Sequence, residues 1–149
     1  MARGHAPVSA GTGLVLDANI LIRAVLGSRV RSLLQAYEDS TDFYAADVCF
    51  DDARGYIPQI FTSRGEDPEV GLLVLHRIGA LVKQVDVALY RDFEQLARER
   101  IAARDVEDGP VVATALMLNV PIWTEDRDFF GSGIGTWTTD RVEQYLRRR

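Results

Sequence analysis

Acidic residues stand where strands of this 149-residue chain are expected to end or helices to begin. Asp17 directly follows a short apolar run, and Asp126 follows a later one. Asp108 precedes a long apolar helix, and Asp52 lies in the helix after the second strand. Two carboxylates held close together cannot both stay ionised without a counter-charge. Because the ligands are all oxygens, the pattern favours a shared Mg²⁺ or Mn²⁺ ion.

The elements that must position these acids alternate between strand and helix, which predicts a parallel sheet covered on both faces. Strands are expected at 14–16, 43–45, 82–87, 121–124 and 134–138. Helices are expected at 20–27, 31–37, 47–59, 68–78, 90–102, 105–119 and 139–147. In such a sheet the working site lies at the carboxyl ends of the strands, near the switch in strand order. We therefore expect the acids to meet at that edge.

Helix geometry separates two neighbouring acids of the third helix. At 100° per residue, the predicted apolar stripe consists of Cys49, Ala53, Tyr56 and Ile60. Asp52 lies about 70–80° from the centre of that stripe, whereas Asp51 points nearly opposite. Asp105 and Asp108 fall on the face that carries the apolar residues of their own helix. Asp17 also stands where a helix N-cap is expected, which is the structural alternative for this residue.

Composition excludes several classes of protein. There are 17 basic and 22 acidic residues, a net charge of −5, so bulk positive charge cannot attract nucleic acid. One cysteine excludes an intramolecular disulfide scaffold. The sequence has neither a signal-peptide pattern nor a membrane-length apolar run, and we expect a cytoplasmic protein. We predict a flexible N-terminal segment at 1–13 and one domain at 14–149.

Four segments taken in order resemble the PIN-domain ribonucleases, the family that includes the VapC-like toxin nucleases. The segments are Leu14–Leu21, Asp51–Arg54, Asp105–Ala115 and Ile122–Phe129. The resemblance covers residues 14 to about 137. It implies a three-layer α/β/α sandwich with a central, mostly parallel sheet, and an acidic pocket for one or two Mg²⁺ or Mn²⁺ ions.

The resemblance also assigns roles to individual residues. The implied catalytic and metal-binding acids are Asp17, Asp52, Asp108 and Asp126, and the supporting residues are Asn19, Thr124, Asp105 and Asp128. The family usually has Glu at the second acid, where this chain has Asp52. The implied reaction is metal-dependent hydrolysis of RNA phosphodiester bonds, leaving 5′-phosphate and 3′-hydroxyl ends. Arg23, Arg54 and Arg127 are close enough in sequence to contact RNA phosphates.

Many members of the family are toxins of toxin–antitoxin pairs, which implies a small antitoxin partner and a homodimer besides RNA. Three other functions match parts of the pattern. A PIN fold used only for binding has its best support in the shorter acid at Asp52, whereas the intact set of Asp17, Asp52, Asp108 and Asp126 argues against it. A haloacid-dehalogenase-type phosphatase needs a second Asp where this chain has Asn19, and a receiver-like domain needs a late lysine, whereas Lys83 lies too early.

Overall fold

Five parallel strands form one sheet in the order β3-β2-β1-β4-β5. The computed structural model describes residues 12–101 and 108–148. The strands are β1 (Gly13–Leu16), β2 (Asp42–Ala46), β3 (Val82–Val85), β4 (Ile122–Trp123) and β5 (Thr136–Trp137). Every strand expected from the sequence is present, and β3, β4 and β5 are shorter than predicted.

Helices fill the connections between the strands. They are α1 (Ala18–Leu26), α2 (Arg29–Tyr37), α3 (Asp47–Ser63), α4 (Pro68–Ile78), α5 (Val87–Tyr90), α6 (Glu94–Arg100), α7 (Gly109–Leu118) and α8 (Val142–Leu146). The predicted start of α4 is confirmed, because the Asp67 side chain accepts a hydrogen bond from the Glu69 N–H directly before Pro68. α7 ends at Asn119, which adopts the left-handed conformation that suits a helix C-terminus.

The helices form two layers on opposite faces of the sheet. The connections β1–β2 and β2–β3 both move toward one edge, whereas β3–β4 returns across the sheet. Because parallel crossovers are right-handed, the returning connection must lie on the opposite face. The contacts agree: α1 packs on α2, α3 and α4, while α5 and α6 pack on α7. The expected three-layer α/β/α architecture is therefore confirmed, with an entirely parallel sheet.

The hydrophobic core surrounds the central strand and includes residues of α1, α2 and α3 as well as α7. β1 is buried along its whole length, as a central parallel strand requires. α7 contacts β1, β2 and β4 on one side and α5 and α6 on the other, so most of its residues are buried. Trp123 of β4 is fully buried, and its indole N–H donates to the Thr139 hydroxyl. Within the described residues, every helix is too short or too polar to cross a bilayer.

The observed helices differ from the predicted ones in several places. Where a helix was expected at 90–102, the structure has the last residue of α5, a 3₁₀ turn at Arg91–Phe93 and the shorter helix α6. α3 continues through Pro58 to Ser63 instead of ending near residue 59. Asp47 opens α3 but also accepts hydrogen bonds from the Val87 N–H and the Tyr90 hydroxyl, which ties α3 to α5. The predicted flexible segment lies mostly outside the described residues, and Gly13 itself belongs to β1.

The apolar face of α3 was partly mispredicted. The buried residues are Cys49, Phe50, Ala53, Ile57 and Phe61. Tyr56, expected in the core, is 57% exposed, and Ile60 is half-buried. The reason is the position of α4, which packs against the Ile57 side of α3: a Cβ added at Gly71 would lie 2.6 Å from Ile57 Cγ2. With α3 packed in this orientation, Tyr56 lies beside the carboxyl edge of the sheet.

Candidate active site

The strand order reverses between β1 and β4, which is the position where open parallel sheets bind ligands. β1 pairs with β4 so that Leu16 lies opposite Trp123. The residues that follow, Asp17 and Thr124, therefore leave neighbouring strands at the same edge. This register brings together two chain positions that are 107 residues apart.

A cavity of about 190 Å³ opens at this edge. Its lining includes five predicted site residues, namely Asp17, Asn19, Asp52, Asp108 and Asp126. Each of the four acids comes from a different part of the fold: the end of β1, helix α3, the start of α7 and the loop after β4. The structure thus places the four predicted acids around a single pocket.

Asp17 is the most enclosed acid of the pocket and also caps α1. Its residue is 6% exposed, and its Oδ1 accepts a hydrogen bond of 3.0 Å from the Ile20 N–H. The Thr124 hydroxyl donates to Oδ2 of the same carboxylate. The cap and the site interpretations of Asp17 are therefore compatible, because each carboxylate oxygen uses one hydrogen bond for the fold and retains further acceptor capacity.

The electrostatic environment of Asp17 disfavours its negative charge. Burial raises the pKa of this carboxyl above its ordinary value, and the nearby charges of Asp126 and Glu125 raise it further. The hydrogen bonds from Thr124 and Ile20 act in the opposite direction. A buried carboxylate among other carboxylates is the setting in which a cation would be most stabilising.

The loop after β4 organises a second group of acids. Thr124 Oγ1 accepts a hydrogen bond of 2.9 Å from the Asp126 N–H, so Thr124 links Asp126 to Asp17. Asp126 Oδ1 in turn accepts one of 2.9 Å from the Asp128 N–H. One carboxylate oxygen from each of Asp108, Asp126 and Asp128 lies within 4.8 Å of the other two. Three hard oxygen donors at this spacing can hold a divalent cation.

Asp52 and Asp51 diverge as helix geometry predicts. Asp52 lines the pocket, although its residue is exposed to solvent rather than turned inward. Asp51 lies outside the pocket lining, and its carboxylate pairs with Arg54 at 2.9 Å. Arg54 is thereby engaged by a neighbour on its own helix. The predicted supporting residue Asp105 lies outside the described residues.

The sequence did not indicate the apolar part of the pocket. Ile22, Val48, Tyr56 and Val111 contribute to its lining. Tyr56 follows Asp52 by four residues and thus lies one helical turn away on the same side, which is the signal that could have located it. Cys49 lies at the pocket and is 3% exposed, as expected of a small core residue. Burial, together with Asp17 and Asp52, raises the pKa of its thiol to about 12, so it stays protonated.

Comparisons with known proteins agree with this geometry. The chain is similar to VapBC2 from Rickettsia felis bound to a DNA fragment from their promoter, with 12% identity and a TM-score of 0.68. That similarity covers 85% of this chain and 98% of the other. It is also similar to a toxin–antitoxin complex from Klebsiella pneumoniae, with 15% identity, a TM-score of 0.60, and coverage of 85% and 97%. At these identities the two structures establish the fold.

A comparison with curated proteins gave no significant match. The family model for the PIN domain, in contrast, matches residues 15–147, which include all four acids of the pocket. The phosphatase and receiver-like alternatives lose their support with this match. The chain belongs to the PIN domain family.

Proposed function

We propose that this protein is a metal-dependent endoribonuclease. One observation carries the proposal: four carboxylates from separate parts of the chain line a single pocket at the switch point of the sheet. The PIN domain family consists generally of nucleases, which agrees with this site. The catalytic and metal-binding residues of the proposal are Asp17, Asp52, Asp108 and Asp126.

The residues present fit a divalent cation. The carboxylate oxygens of Asp108, Asp126 and Asp128 are spaced closely enough to share one ion. Asp17 and Asp52 are outside this trio but line the same pocket as Asp108 and Asp126. The donor set contains oxygen rather than sulfur or imidazole, which suits Mg²⁺ or Mn²⁺. When bound, such an ion supplies positive charge to a phosphodiester and lowers the pKa of a water molecule.

The chain's own residues keep the acids in position. Asp17 is held from two directions, by the α1 backbone and by the Thr124 hydroxyl. The Asp126 backbone is held by Thr124 as well, so movement of one acid is coupled to the other. Asp108 stands at the N-cap position of α7, whose buried body fixes where the helix begins. Such preorganisation is what a site for charge stabilisation requires.

Cleavage of a labelled single-stranded RNA, with Mn²⁺ or with a chelator, tests the proposal. We expect cleavage to require the ion and to be lost in Asp17→Asn and Asp108→Asn, since each removes a charge but keeps the shape. Asp52→Asn and Asp51→Asn form a matched pair one residue apart on α3. Asp52→Asn should lower the cleavage rate, whereas Asp51→Asn should retain it. Cleavage by Asp17→Asn at the wild-type rate would refute the nuclease proposal and favour a PIN fold used only for binding.

The partners predicted from the sequence are part of the same proposal. Both similar structures are of toxin–antitoxin systems, which supports a small antitoxin partner for this chain. Val70 and Leu73 of α4 are 50% and 52% exposed and lie one turn apart, which supports a homodimer through this helix. Light scattering should report a dimer that Leu73→Lys converts to a monomer. If the gene has a small reading frame beside it, co-expression of the two should yield a stable complex.

A further inference from the structure

A second cleft lies beside the acidic pocket, and α1 and the loop after β4 each contribute residues to both cavities. In α1, Ile22 lines the acidic pocket and Arg23 lines the cleft. In the loop after β4, Asp126 lines the pocket and Arg127 lines the cleft. The cleft has a volume of about 700 Å³, within the range of roughly 300–1,000 Å³ typical of ligand sites. The pocket and the cleft therefore adjoin at these two segments.

The cleft presents arginines that the described part of the fold does not use. Arg23 and Arg127 are both exposed, and neither forms an ion pair or side-chain hydrogen bond with a described residue. Arg29, the third arginine of the lining, is 58% exposed and lies 3.6 Å from Glu143. Guanidinium groups of this kind are suited to phosphate, which they bind in a planar, two-pronged geometry.

The two acids of the cleft are engaged in holding its wall. Glu125 Oε2 accepts a hydrogen bond of 2.6 Å from the Thr139 N–H. Asp140 accepts one from the Thr138 hydroxyl. Both contacts order the segment that leads from β5 to α8. Because Arg29 is paired with Glu143, Arg23 and Arg127 are the two arginines of the lining that have no ion-pair partner among the described residues.

An aromatic ring completes the cleft. Phe130 lines it and is 48% exposed, whereas its neighbour Phe129 is 1% exposed and anchors the loop in the core. About half of the Phe130 surface is therefore available to a ligand in the cleft, on a loop that Phe129 fixes. Single-stranded RNA is recognised by arginine contacts to phosphates combined with aromatic rings on which unpaired bases stack.

We propose that this cleft binds the nucleotide adjacent to the scissile phosphate, with its phosphate on Arg23 and Arg127 and its base on Phe130. The inference rests on the proposed nuclease function of the neighbouring pocket. The stacking contact requires an unpaired base, because a paired base cannot stack on a ring in a cleft.

Fluorescence anisotropy with a labelled 12-nucleotide single-stranded RNA tests this cleft without relying on cleavage. All measurements use the Asp17→Asn background, in which the RNA should stay intact, across a series of KCl concentrations. Each arginine-to-alanine change, R23A or R127A, should weaken binding and reduce the slope of log K against log salt by about 0.7. R64A, which removes an exposed arginine at the end of α3, serves as the control and should leave the slope unchanged.

The base contact has its own variants. F130A and F130L should each weaken binding roughly 5- to 150-fold. F130W should bind as tightly as the parent, because stacking needs a ring rather than apolar area alone. Binding by F130L equal to that of the parent would overturn the stacking assignment. Salt slopes for R23A and R127A equal to that of R64A would overturn the phosphate assignment.

The two proposals fail in distinguishable ways. RNA binding that depends on the cleft, without metal-dependent cleavage by the wild type, would refute the nuclease and retain the cleft. Cleavage that requires Asp17 but is unaffected by all the cleft variants would refute the cleft and retain the nuclease. Cleft variants that release a protein partner while binding RNA normally would also refute the inference.

Discussion

Binding of Mn²⁺ should raise the melting temperature of this protein, and the structure indicates which residues control the effect. One carboxylate oxygen from each of Asp108, Asp126 and Asp128 lies within 4.8 Å of the other two. At an effective dielectric constant of ~20, two unit charges at that distance repel by about 3.5 kcal/mol. Solvent screening lowers this figure for Asp128, which is exposed. The metal-free fold therefore carries a strain that a cation removes.

The size of the effect follows from binding linkage. At a Mn²⁺ concentration 100 times its dissociation constant, an ion that binds only the folded state adds about 2.7 kcal/mol to the free energy of unfolding. For a chain of 149 residues, each kcal/mol shifts the melting temperature by about 2–4 °C. We expect a rise of about 5–11 °C on adding Mn²⁺ to chelator-treated protein.

Asp126→Asn should raise the melting temperature of the metal-free protein and reduce the increase that Mn²⁺ produces. The amide oxygen can still accept the Asp128 N–H, so the loop keeps its hydrogen bond. Because one charge of the trio is gone, the metal-free variant should melt at a higher temperature than metal-free wild type. Because one ligand is weakened, the increment on adding Mn²⁺ should be smaller than in wild type. Differential scanning fluorimetry with chelator and with a Mn²⁺ titration measures both quantities.

Asp51→Asn is the control for this experiment, since Asp51 lies on α3 outside the pocket and pairs with Arg54. It should leave the Mn²⁺ increment unchanged. The reasoning is refuted if wild type and Asp126→Asn show equal increments. It is also refuted if Asp126→Asn lowers the metal-free melting temperature, because the charge would then be stabilising without an ion.

Three further predictions concern the site and its support. Thr124→Val should lower cleavage sharply and Thr124→Ser should retain it, because the hydroxyl holds both Asp17 and the Asp126 backbone. Gly71→Ala should cost about 1–3 kcal/mol of stability in urea unfolding through overlap with α3, whereas Gly55→Ala, with open space around it, should stabilise by about 0.5–1 kcal/mol. The hydrogen bond from the Tyr37 hydroxyl is the main reason that the pKa of Glu143 is lowered from 4.5. The ionised Glu143 therefore stabilises the fold fully above pH 4.5, and this stabilisation is lost as pH falls through the lowered pKa. The difference in free energy of unfolding between wild type and Glu143→Gln should accordingly vanish at low pH.

Sequence reasoning located the acids because their positions follow from local rules. Asp17 must leave the sheet at its carboxyl edge, since it directly follows a fully buried strand. Asp52 and Asp51 could be separated by helix rotation alone, and the structure places Asp52 in the pocket and Asp51 outside it. The alternation of strands and helices likewise predicted a parallel sheet, although it could not give the strand order that makes β1 and β4 neighbours.

The parts that the sequence did not reveal depend on contacts between distant elements. Tyr56 matches the apolar periodicity of α3, and only the close approach of α4 at Gly71 decides that it faces outward. The division between α5 and α6 has no obvious breaker in the sequence. Asp47 accepts hydrogen bonds from α5, a contact that spans 40 residues and that no local pattern encodes.

Net charge proves a poor guide to where an anionic substrate could bind. The chain carries −5 overall, which argues against binding of nucleic acid by bulk attraction. Yet consecutive residues of α1 and of the loop after β4 face different cavities, so Arg23 and Arg127 line one side while Asp126 lines the other. Asp126 and Arg127 thus face different cavities although they are neighbours in the chain. A phosphodiester backbone crossing that boundary would meet guanidinium groups next to the acids proposed to hold the metal, which is the local arrangement that overall composition cannot express.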